Sequence, residues 1–113
     1  MERNMKYKTA ELEGNLLDAA VAEAEGVEVV QHSNGHGYAR WDEDHAHWRG
    51  WNPSTDWRDG GPIIERERLE LRNDASGGWN SMGNRCYGEG PTLLIAAMRA
   101  YVDSKFGDEV DLP

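Results

Sequence analysis

The run Ser54-Thr55-Asp56-Trp57-Arg58 sets two hydroxyls, a carboxylate, an indole and a guanidinium side by side, just ahead of Gly60-Gly61-Pro62. An indole face stacks on a planar ring, while an adjacent carboxylate accepts that ring's N–H or O–H donors. Paired glycines let the backbone turn sharply and come close to another group. Together these are the parts of a nucleoside-recognition site. A plainer reading stands beside it: Ser54 or Asp56 caps a turn, and Trp57 fills the core.

Gly90-Pro91-Thr92 reads as a helix start, with Thr92 as the cap or Pro91 in the first turn. Its unpaired N–H groups could hold phosphate, and Gly88 and Gly90 would permit close approach. No Gly-Lys-Ser/Thr follows, so this is not a nucleoside-triphosphate loop, and no cofactor is expected. Five of the nine arginines, Arg58, Arg66, Arg68, Arg72 and Arg85, fall between residues 58 and 85. On one strand face, Arg66, Arg68 and Arg72 could grip phosphate in bidentate fashion. Alternatively they pair in solvent with Glu65, Glu67 and Glu70. The expected ligand-binding set is Ser54, Thr55, Asp56, Trp57, Arg58, Gly60, Gly61, Arg66, Arg85 and Thr92. Its expected ligand is a small anionic, nucleotide-like molecule.

His32, His36, Asp42, Asp44, His45 and His47 are metal-ligand types, and His45 and His47 would point the same way on a strand. No Cys pair or His-Glu-x-x-His helix accompanies them, so no metal site is expected. Trp41, Trp48 and Trp51 in the same stretch read as packing or interface aromatics. Ser54 lacks a Gly-x-Ser-x-Gly context, and no catalytic residue is expected.

The chain has 113 residues and a mass of 12.7 kDa, which reads as one domain over residues 1–113. Its net charge of −9 excludes a binder of nucleic-acid backbone and of anionic membrane. It suits an acidic interaction module that binds and inhibits a host protein, through its charge or its Trp-rich stretch. Cys86 is the only cysteine, so no intrachain disulfide forms and a reducing compartment is expected. No run approaches the roughly 20 apolar residues that span a bilayer.

The elements that must position these groups follow from periodicity. Residues 5–12 alternate as a strand. A helix is predicted over Asn15–Glu25, with Leu16, Leu17, Ala20, Val21 and Ala24 on one arc and Gly26 ending it. Residues 27–30 are predicted as a short strand, 31–61 as a long loop region, 62–72 as a strand and 73–90 as irregular. A second helix runs from Thr92 to Gly107, and the acidic tail 108–113 either forms a terminal strand or is mobile. The expected fold is α+β: two amphipathic helices packed on a small, mainly antiparallel sheet, with long Trp/Gly-rich loops. A core this small is expected to be completed in a homo-oligomer.

Three ordered segments resemble a known family: residues 8–26, beginning Lys8-Thr9-Ala10-Glu11-Leu12; Asn52-Pro53-Ser54-Thr55-Asp56-Trp57 with Gly60-Gly61-Pro62-Ile63-Ile64-Glu65; and Gly90-Pro91-Thr92 through Phe106-Gly107-Asp108-Glu109-Val110. They resemble the small phage-encoded NinX-type family. The resemblance implies a phage accessory protein in the bacterial host cytoplasm, and it brings no catalytic residues with it. Residues 1–4 precede it as an N-terminal extension, with Met5 as an alternative start. The His-rich stretch Gln31–Trp51 departs from it, and Leu93 stands where a second Pro is common. The expected function is therefore non-catalytic binding or sequestration of a nucleotide-like anion, as in counter-defence, with inhibition of a host protein as the alternative.

Overall fold

A computed structural model describes residues 4–31 and 37–113 of the chain. Strand β1 (Met5–Lys8) leads through a 3-10 turn (Thr9–Glu11) into helix α1 (Gly14–Glu25). Strands β2 (Val29–Gln31), β3 (Tyr38–Asp42) and β4 (His47–Trp51) precede helix α2 (Trp57–Glu67). Strands β5 (Glu70–Asn73), β6 (Trp79–Gly83) and β7 (Cys86–Gly90), helix α3 (Leu93–Phe106) and strand β8 (Glu109–Leu112) complete the order. Every pairing is antiparallel: β1 with β8, β2-β3-β4, and β5-β6-β7. The α+β class holds, with three helices and three small sheets among the described residues where two helices on one sheet were expected.

Helix α3 is the element on which the others pack. The Thr92 hydroxyl caps it by accepting from Ile95 N at 3.1 Å. Leu94 is buried near its start, and Met98, Tyr101 and Val102 share one core cluster with Leu17 and Val21 of α1 and with Trp51, Val110 and Leu112. Gly88 of β7 lies so close that an added methyl would collide with Ala96 O and Ala100 N of α3. Gly60 of α2 is pressed in the same way against Pro53 O and the Leu94 side chain. Gly60 meets Leu94 near the starts of α2 and α3, and Arg66 meets Tyr101 near their ends. The two helices therefore run side by side in the same direction.

A polar clamp ties the three helices together. Arg66 of α2 grips Glu25 of α1 through both guanidinium nitrogens, at 2.7 and 3.1 Å, and the Tyr101 hydroxyl of α3 donates to the same carboxylate at 2.6 Å. Burial alone would raise the Glu25 carboxyl, but these donors hold it below its ordinary value.

The strand expected over 62–72 is instead the end of α2 followed by β5. Gly60, Ile63, Ile64 and Glu67 share a helical face, and Asp56 caps the start by accepting from Arg58 N at 2.9 Å. These outweigh Pro62, which removes one helical hydrogen bond. Arg66, Arg68 and Arg72 therefore do not share a strand face. Arg68 is the left-handed C-cap of α2, with φ 54°, and Arg72 lies on β5 beside Glu70. The long loop expected over 31–61 contains the β3–β4 hairpin and the start of α2, and the irregular stretch 73–90 contains the β6–β7 hairpin. The first strand ends at Lys8, and the tail forms β8. Leu16 and Phe106, expected on buried arcs, sit at helix ends and are exposed. His45 lies in the β3–β4 turn rather than on a strand with His47, because the chain turns through Ala46 at φ 53°. Residues 32–36, with His32 and His36, and the expected extension's first three residues lie outside the described residues.

Trp51 is 2% exposed and belongs to the core, not to an interface. Trp51→Ala is expected to cost about 3–5 kcal/mol, the usual range for deleting a buried aromatic. That corresponds to a fall in Tm of at least roughly 10 °C, read by thermal denaturation.

Candidate functional site

The residues expected to bind a ligand fall into separate places. Ser54 is buried, and its backbone N–H donates to Asp18 Oδ1 at 2.9 Å. The N–H groups of Thr55 and Asp56 both donate to Asn52 O, closing the turn that starts α2. Trp57 is 54% exposed and lies over Gly61, where an added methyl would come within 3.3 Å of the ring. The Arg58 guanidinium is exposed, 4.0 Å from Asp56 and 3.9 Å from Asp59. Arg66 is committed to the clamp with Glu25, and to Glu67 at 2.8 Å. Arg85 sits in the β6–β7 turn with φ 62°. Thr92 caps α3, whose N-terminus lies at the same end of the helix pair as Trp57 and Arg58.

The glycines have packing roles. Space next to Gly60, Gly88 and Gly90 is filled by Pro53, by Leu94, and by the Ile95–Ala100 stretch of α3. Their missing side chains let helices approach one another or a strand, while the backbone of Gly88 and Gly90 also lines a cleft.

A cleft of about 950 Å³ opens between the β1 end, the β5–β6 turn, β7 and α3. Asp74, Glu89, Asp103, Asp108 and Glu109 line it, against Lys8 and Arg99 as the only cations of the lining. Arg99 is held by Leu12 O at 2.8 Å and Glu89 O at 2.7 Å. Such a lining repels anions. None of Trp57, Arg58, Arg66 and Arg85 contributes to it. Among the described residues, no group of three His, Cys, Asp or Glu could hold a metal ion. Cys86 is buried, and burial pushes its thiol pKa up, away from thiolate chemistry.

The β2-β3-β4 sheet carries a different surface. By strand alternation, Val30, Ala39, Trp41, Trp48 and Gly50 share one face, while Tyr38, Arg40, Arg49 and Trp51 share the other. The second face turns inward: Trp51 is buried, and Arg49 reaches Asp59 of α2 at 2.8 Å. On the first face Trp41 and Trp48 stand directly across from one another. Their centroids are 5.7 Å apart in an edge-to-face contact, and they remain 39% and 45% exposed. Val30 beside them is also exposed. In sequence, Trp41 and Trp48 were recognisable as aromatics of packing or interface; their pairing needed the hairpin register.

Beneath the 52–56 turn lie two buried carboxylates, Asp18 and Asp59. Asp59 is satisfied by Arg49 and by the Asn52 N–H at 2.9 Å. Asp18 has no cation partner among the described residues' salt bridges. Burial pushes its carboxyl up, the backbone N–H and hydroxyl of Ser54 pull it back, and Asp59 adds to the rise. The Ser54 hydroxyl lies close enough to favour the carboxylate, yet makes no hydrogen bond of acceptable geometry.

The family described as "Bacteriophage P22, NinX" matches residues 8–105. No curated protein matches the chain. Among the described residues, no helix is long and apolar enough to cross a membrane.

The Asp18 carboxyl has a folded pKa above its ordinary value of 3.8, so the folded state binds its proton more tightly than the unfolded state. Its contribution to stability therefore declines as pH rises from about that value through the folded pKa. Asp18→Asn keeps an oxygen for the Ser54 N–H and has no proton to lose. Urea denaturation over a pH series should show the variant gaining on the wild type as pH rises. A gap independent of pH would refute this.

Proposed function

The chain belongs to the bacteriophage P22 NinX family, and we propose that it is a non-catalytic binding module that engages a host protein through the exposed face of β2-β3-β4. One observation carries this reading. Two indoles and a valine lie in solvent on a single sheet face, on a chain of net charge −9. Tryptophan gives large contact area for little loss of side-chain freedom, and it is enriched where interface energy concentrates. The hairpin holds both rings in place before any partner arrives, which lowers the entropic cost of binding. A phage protein of this kind acts by occupying its target, as counter-defence requires, and needs stoichiometric affinity rather than turnover.

A second reading, sequestration of a nucleotide-like anion, is supported by the shared direction of α2 and α3. Gly60 of α2 meets Leu94 near the start of α3, and the exposed Trp57 ring and Arg58 guanidinium belong to the first turn of α2. Helix N-termini favour anions, and an open indole favours a planar ring.

The first reading is tested by affinity capture from host lysate with wild-type protein and a Trp41→Ala/Trp48→Ala variant. Capture should fall at least about tenfold. The variant's Tm should fall by no more than about 5 °C, the loss of one exposed aromatic pair. The same proteins captured equally by both would reject it. The second reading is tested by calorimetry against linear and cyclic nucleotides. Trp57→Ala should weaken binding roughly 5- to 150-fold. No heat from any nucleotide would reject it.

A further inference from the structure

The chemistry around the indole pair narrows the kind of protein that fits it. The arginines of the β3–β4 hairpin are Arg40 and Arg49, both on the inward face, and its other basic side chains are the imidazoles of His45 and His47. Arg49 is paired with Asp59 at 2.8 Å, and Arg40 lies within Coulombic reach of Glu25. Neither charge is presented beside Trp41 and Trp48. The hairpin tip carries the opposite sign. Glu43 and Asp44 are exposed there, and among the described residues neither has a salt-bridge partner. Asp42, the third carboxylate, is taken by His45 Nδ1 at 2.9 Å.

Resting on the interaction reading above, we propose that this face takes a basic protein surface, with arginine side chains laid against the Trp41 and Trp48 rings and their charge shared with Glu43 and Asp44. Guanidinium groups stack on indole faces, and arginine loses little hydration in doing so. Carboxylates a few residues away supply the opposite charge at the head of the same side chain. A second copy of this chain fits poorly, because each copy brings the same acidic tip and a net charge of −9. Nucleic acid is repelled for the same reason. A purely apolar partner would leave both tip carboxylates unanswered.

The test uses the full chain and three probes: an arginine-rich peptide, the same peptide with citrulline in place of arginine, and a glutamate-rich peptide. Binding is followed by calorimetry at low and physiological salt. The arginine peptide should bind, the citrulline peptide at least about tenfold more weakly, and the glutamate peptide not at all. Glu43→Gln/Asp44→Asn should weaken arginine-peptide binding about 3- to 10-fold. Glu11→Gln/Glu13→Gln removes the same charge from exposed positions elsewhere, and it should change binding less than about twofold. Trp41→Ala/Trp48→Ala should weaken binding at least about tenfold, with its Tm confirming that the fold survives. Equal losses from the two carboxylate pairs would show only diffuse attraction to an acidic protein and overturn the proposal. So would unchanged binding by the tryptophan variant, or citrulline binding as well as arginine. A dimer mass in light scattering that the tryptophan variant abolishes would assign the face to self-association and also overturn it. If these peptide results fail while lysate capture still depends on Trp41 and Trp48, the interaction reading stands and only the partner chemistry is wrong.

Discussion

The whole arrangement depends on how closely α3 is approached. At Gly88 the backbone of β7 rests on the backbone of α3, with no room for even a methyl group. At Gly60 the backbone of α2 comes equally near to Leu94 and the 52–56 turn. Backbone contacts this short let the core close around Trp51 and Tyr101. Ala96, Ala97 and Ala100 on α3 are fully buried for the same reason. A larger side chain at any of these positions would push α2 or β7 outward and open the core around Trp51 and Tyr101. The Glu25–Arg66–Tyr101 clamp then sets the relative positions of the helices at the other end, where the packing alone has no glycine to key it.

That dependence explains which signals in the sequence were legible. Helices α1 and α3 carry regular apolar stripes with Gly26 and Gly107 at their ends, and both were readable to within a residue or two. Helix α2 was not. Its core face includes a glycine, its second turn contains a proline, and it ends on Arg68 in the left-handed region instead of on a glycine. Each of these features reads locally as strand or loop, and only the contact with α3 makes the helix the better state. The β3–β4 and β6–β7 hairpins were hidden for a related reason. Their turns place Ala46 and Arg85 at positive φ, with no Asn-Gly or Asp-Gly pair to announce them.

The candidate ligand residues follow the same logic. Ser54, Thr55, Asp56, Gly60 and Thr92 have the composition of a binding loop, but the composition of a binding loop is also that of a tightly turned helix start. Asp56 and Thr92 spend their side-chain oxygens on capping, and Gly60 spends its freedom on packing. What this leaves in solvent is Thr55, the Trp57 ring and the Arg58 head. Spacing alone could not separate the two uses, because both need short polar side chains beside glycine.

The carboxylates Asp18, Asp59 and Glu25 join segments of the chain. Asp59 is neutralised by Arg49, Glu25 by Arg66, and Asp18 faces a backbone N–H. Each holds one segment against another: β4 to α2, α1 to α2, and α1 to the 52–56 turn. These three carboxylates thus serve to fix the fold. The aromatic surface is not, since Trp41 and Trp48 touch each other across a hairpin and leave much of their area in water. Exposed indole surface on an acidic chain costs solubility and contributes only one aromatic contact to stability.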